Sequence, residues 1–99
     1  MSVATSTKEV YIGIQASIHR GEHKTAMAWI AKLPTDQREE LWRFLRELAT
    51  TEVSYHDRQT AVLVKTLHDN SKLDPDREQA FLSHAVVAIS LAPKGTAGY

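Results

Sequence analysis

Helix punctuation constrains this chain more than anything else in it. Gly21, Pro34 and the Asp74-Pro75 pair divide the sequence, and between them apolar residues recur every three to four positions. Pieces with that period bury their stripes against one another, so the expected fold is all-α, a compact bundle of four to five helices. A chain of 99 residues supports one such core and leaves little room for a second.

The first piece argues with itself. Ser6, followed three residues later by Glu9, has the form of a capping box that opens a helix toward Arg20. Yet Val10, Ile12, Ile14, Ala16 and Ile18 alternate with Tyr11, Gly13, Gln15, Ser17 and His19, the two-residue period of a half-buried strand. Gly13 also costs about 1 kcal/mol inside a helix relative to Ala. Residues 9–19 therefore read as helix or strand, and helix is preferred because no other segment offers an equally clean strand to pair with.

Residues 22–33 read as a second helix, with Ala26, Trp29, Ile30 and Leu33 on one face and Pro34 ending it. Thr35 or Asp36 can cap the next helix, whose first turn carries Asp36, Glu39 and Glu40 and whose stripe is Leu41, Phe44, Leu45 and Leu48. The short link at 33–35 predicts an antiparallel hairpin that brings Trp29 and Trp42 into a shared core. Between residues 50 and 60 the stripe fades, leaving 36–69 as one helix or two. It returns at Ala61, Val62, Val64 and Leu67 and stops before the polar run His68 to Lys72. The last helix is announced by Asp74 at its N-cap, Pro75 at its first position and the acids Asp76 and Glu78. Its apolar residues cover most of the circumference, which suits a helix central to the bundle or half of an interface. Residues 6–92 form the expected domain, with flexible ends at 1–5 and 93–99.

Composition enters as exclusion. Twelve basic residues against twelve acidic ones give no net charge, which disfavours a protein whose main task is to hold polyanions or anionic membranes. Without cysteine there is no disulfide framework, thiol nucleophile or thiolate metal site. No stretch reaches the roughly 18 apolar residues of a membrane span, and residues 1–7 show no secretory signal, so the expected home is the cytoplasm.

The histidines carry the neutral-pH chemistry. His19 and His23 have a metal-pair spacing, but Gly21 interrupts it and no third ligand completes a site. His56 and Asp57 are adjacent and would point about 100° apart on a helix. Asp69, Asp74, Asp76 and Glu78 lack the glycine and terminal glutamate of a calcium loop. Nucleophile elbows and phosphate-cradling glycine motifs are absent. The expectation is therefore no catalytic residue, no cofactor and no metal.

What remains is recognition. The chain is expected to be a non-enzymatic interaction module that binds another protein, and itself as a homodimer, acting as regulator, adaptor or inhibitor. The expected contacts are Trp42, Arg43, Arg46, Tyr55, His56, Phe81, Val87 and Ile89. The alternative is a small dimeric nucleic-acid-binding regulator with a local basic patch at His19, Arg20, His23 and Lys24.

Overall fold

A computed structural model of the chain describes residues 6–53 and 57–94. Five helices among the described residues carry the fold: α1 (Thr7–His19), α2 (His23–Ile30), α3 (Arg38–Thr51), α4 (Arg58–Leu73) and α5 (Glu78–Leu91). One 3-10 turn, Thr35–Gln37, leads into α3 and another, Pro75–Arg77, leads into α5. The result is the all-α bundle expected, with no strand among the described residues and one isolated bridge between Val53 and Lys94. Of the flexible ends expected at 1–5 and 93–99, residues 1–5 and 95–99 lie outside the described residues, as do Tyr55 and His56, whereas Pro93 and Lys94 are described.

Residues 9–19 are helical. Ser6 sits in extended backbone and accepts the Glu9 N–H at 3.1 Å, satisfying one of the free donors at the start of α1. At the other end Gly21 takes φ +76°, the left-handed conformation that a side chain disfavours. The Gly21 N–H then reaches Ile18 O at 2.9 Å and the Glu22 N–H reaches Ser17 O at 2.8 Å, a Schellman closure. The strand-like alternation has a helical explanation. Val10, Ile14 and Ile18 are spaced by four and lie buried together, whereas Ile12 lies about 200° away from Ile14 around the axis and is 57% exposed. Gly13 is no defect either: a Cβ there would meet Trp29 Nε1 at 2.7 Å and two ring carbons closer still, so the missing side chain lets α2 approach.

The chain breaks after Thr51, and α4 begins when the Asp57 carboxylate accepts the Thr60 N–H at 3.3 Å and the Thr60 hydroxyl at 3.0 Å. Two corrections follow. First, α4 does not stop at His68 but runs to Leu73, because Thr60, Val64, Leu67, His68 and Ser71 continue one inward face. Second, α2 and α3 do not form the expected hairpin. α2 packs on α1 and α5, and α3 packs on α4 and α5, so Trp29 and Trp42 belong to different parts of the core. The extended backbone at Pro34 and the 3-10 turn after it separate the two helices.

The last helix is central, as its all-round apolar character suggested, and it packs against each of the other four. Its end is closed by Lys94, whose ammonium donates to the carbonyls of Ile89, Ser90 and Ala92, each at 2.8 Å. Burial pushes the Lys94 pKa down, against a smaller upward pull from Glu52. No helix among the described residues is long and apolar enough to cross a membrane.

Candidate functional site

The densest polar arrangement lies between α3 and α4. Glu39, Trp42 and Arg46 occupy positions i, i+3 and i+7 of α3, one side of that helix, and His68 and Lys72 occupy i and i+4 of α4. The His68 ring, with its side chain only 3% exposed, stacks on the Trp42 indole at 5.1 Å between centroids and 7° between planes. Its Nε2 lies 3.0 and 3.2 Å from the two Glu39 oxygens, and its Nδ1 lies 3.5 Å from Arg46 Nη1. A carboxylate only accepts and a guanidinium only donates, so Nε2 carries a proton and donates to Glu39, and Nδ1, when it carries none, accepts from Arg46.

The network extends both ways. Lys72 Nζ lies 3.5 Å from Glu39. On the other side Trp42 Nε1 donates to Glu78 at 3.4 Å, Glu78 lies 3.9 Å from Arg38, and Arg38 donates to Gln79 at 3.1 Å. Burial pushes the Glu39 pKa up, but the His68 hydrogen bond and charge together with Lys72 outweigh it and hold the carboxyl below its ordinary value. With both ring nitrogens engaged and the ring covered, His68 has no lone pair to offer a substrate. The arrangement works as a cross-link between helices.

Several expected contact residues therefore belong elsewhere. Trp42, 1% exposed, and Ile89, 0% exposed, are core residues and cannot anchor a partner, because their stripes face α4 and the bundle interior. Arg46 is half-buried and turned toward His68. Phe81 is half-buried against the core, and Val87 is half-buried. Arg43 alone of the described set stands well exposed, 3.2 Å from Glu40. Sequence reasoning passed over His68, which it placed in a polar linker. The available signal was its position, one helical turn after Val64 on an inward stripe.

Several of the remaining chemistry-bearing groups pair with neighbours. His19 Nδ1 lies 3.4 Å from Glu52, beyond the Gly21 turn from His23. Asp69 pairs with Lys65 at 3.1 Å and Asp74 with Arg77 at 3.4 Å, while Asp74 makes no side-chain cap bond. No group of three or more histidines or carboxylates among the described residues is placed to hold a metal ion. Arg20 pairs with Glu22 at 3.0 Å, so acids interleave with the basic run at residues 19–24.

Two open grooves flank α1. One, of about 290 Å³, lies between α1 and α3 and is lined by Lys8, Tyr11, Glu40, Arg43, Phe44 and Glu47. Tyr11 and Phe44 meet edge to face at 4.8 Å in it, and the Tyr11 hydroxyl donates to Gln37 at 3.3 Å. Burial and, less, the Glu40 charge push the Tyr11 pKa up. The other groove, about 420 Å³, is lined by Ile12, Gln15, Ala16, His19, Arg20 and Glu52. Compared with known protein families, curated proteins and solved structures, the chain matches none.

Proposed function

We propose that this chain is a non-enzymatic helical interaction module of the cytoplasm that regulates, bridges or inhibits a partner protein by covering part of its surface. The observation that carries the reading is the groove between α1 and α3. Its floor is the Tyr11–Phe44 aromatic pair and its rim alternates Lys8 and Arg43 with Glu40 and Glu47. Aromatic and arginine side chains around a concave apolar floor are the composition of interface anchors, and a rim of both signs favours a complementary protein over phosphate. The occupant that fits is an amphipathic helix with a large apolar side chain flanked by charges of both signs. The pairing of Arg20 with Glu22 and Arg43 with Glu40 supports the same choice, since a phosphate-binding surface needs uncompensated cations. A cysteine-free chain that needs no disulfide is consistent with a reducing compartment.

The test is affinity capture from cells of origin with the wild-type chain and with Arg43→Glu side by side, each first shown to have the same helical spectrum. A protein retained by the wild type and reduced roughly tenfold with the variant is the expected result, the loss typical of a rim arginine that contacts its partner. Identical sets from both chains would overturn the proposal.

A further inference from the structure

The alternation in residues 10–18 places two helical stripes back to back on α1. One of them, Val10, Ile14 and Ile18, is buried in the bundle. The other runs through Ile12 and Ala16, one turn apart, on the face that α1 turns away from the core. Ile12 is a large aliphatic on open surface, Ala16 is small, and both line the groove of about 420 Å³. A helix needs the first stripe in order to fold. Ala16 is half-buried, and Ile12 stands exposed with no cover among the described residues.

We propose that this face binds a second copy of the same chain, with the two α1 helices antiparallel across a twofold axis. The argument rests on self-complementarity, which a twofold interface demands of a single surface. If Ile12 of one copy sits beside Ala16 of the other, positions whose sequence numbers sum to 28 lie level along the axis, and residues of the same flank whose numbers sum to 27 or 29 lie within one residue's rise of each other. On one flank Glu9 then comes opposite Arg20 of the second copy, a guanidinium that also pairs with Glu22 of its own chain at 3.0 Å. On the other flank Lys8 comes opposite the second copy's His19 and, with it, Glu52. That carboxylate is held in place by Gln15 at 2.9 Å and His19 at 3.4 Å. Each flank brings opposite charges together, and each pair occurs twice by symmetry.

The contact is small. One helix of 13 residues against its copy covers less than the roughly 1,200 Å² of a stable complex, so the association is weak and concentration-dependent. This surface shares Lys8 with the rim of the groove between α1 and α3 but not its Tyr11–Phe44 floor, and the proposal stands without that reading.

Sedimentation velocity on the whole chain from about 10 µM to about 1 mM tests it, over the range where a weak dimer forms. The wild type is expected to shift toward a dimer near the top of that range. Ile12→Asp is expected to remain monomeric with an unchanged helical spectrum, since that side chain stands in solvent. Glu9→Arg is expected to weaken the association several-fold at low salt, and Glu9→Arg combined with Arg20→Glu to restore it, because the double variant rebuilds the pair in reverse. A chain that stays monomeric at the highest concentration overturns the proposal, as does an Ile12→Asp variant that dimerises like the wild type. Failure of the double variant to recover overturns the antiparallel register.

Discussion

Replacing Gly13 by Ala puts two opposing effects in one residue, and the structure decides between them. In an exposed helix interior the change gains about 1 kcal/mol, because Ala is the better helix former. Here the added methyl would stand 2.7 Å from Trp29 Nε1 and nearer to the ring carbons that fuse the indole, where nothing can yield except by moving the whole ring. Overpacking of that kind costs about 1–3 kcal/mol. Taking about 2 kcal/mol for the clash and subtracting the gain leaves a net loss of about 1 kcal/mol, or roughly 4–8 °C in Tm for a domain of this size. Thermal unfolding followed by far-ultraviolet circular dichroism measures it directly. The decisive comparison uses Trp29→Ala as background: with the ring gone the clash disappears, and Gly13→Ala is expected to stabilise by up to about 1 kcal/mol. A Gly13→Ala variant that is more stable than the wild type with Trp29 present would refute the reasoning.

Two other perturbations follow from the polar contacts. His68→Ala removes the ring stacked on Trp42 and leaves a cavity, at an expected cost of about 2–3 kcal/mol in urea denaturation. Glu39→Gln is expected to cost under about 1 kcal/mol, since that carboxylate is 48% exposed and solvent screens its pairs. Because the Glu39 carboxyl titrates below its ordinary 4.5 in the fold, its contribution is complete above that pH and is lost as pH falls through the lower folded value. The stability difference between wild type and Glu39→Gln is therefore expected to shrink below about pH 4.5, and a difference unchanged down to pH 2 would contradict the assignment. Lys94→Met keeps an unbranched apolar stem but deletes the donor to three carbonyls. It is expected to lower stability by about 1–2 kcal/mol and to speed amide exchange in the last turn of α5, with equal exchange rates counting against the capping role.

The legible and illegible parts of this fold divide by range. Ser6 with Glu9 and Gly21 after His19 act within a few residues of themselves, so their signals marked where a helix starts and stops, whereas Asp74 and Pro75 open a 3-10 turn without a side-chain cap and α5 begins only at Glu78. Which helix packs on which depends on contacts far apart in sequence, and a short link between α2 and α3 suggested a pairing that Pro34 and the following 3-10 turn prevent. Gly13 read as a flaw because its benefit lies on another helix, in the volume of Trp29. His68 read as linker because polarity was weighed above position, although a polar side chain on an inward stripe is what a buried hydrogen-bonded pair requires. The expected anchors Trp42 and Ile89 failed for a related reason: size and apolarity describe a core residue as well as they describe a contact residue.

The position of α5 bears on how the chain comes to be folded at all. During synthesis α1 to α4 emerge while the helix that touches all of them is still being made. The stripes they will press against it stay wet until α5 is complete, so the α1–α2 pair and the α3–α4 pair meet through rim contacts such as Tyr11–Phe44 and Gln15–Glu52 and lack the central helix that buries both. Closure is thus a late event that waits for the far end of the domain. Until then the nascent chain presents apolar helix faces that holding chaperones recognise.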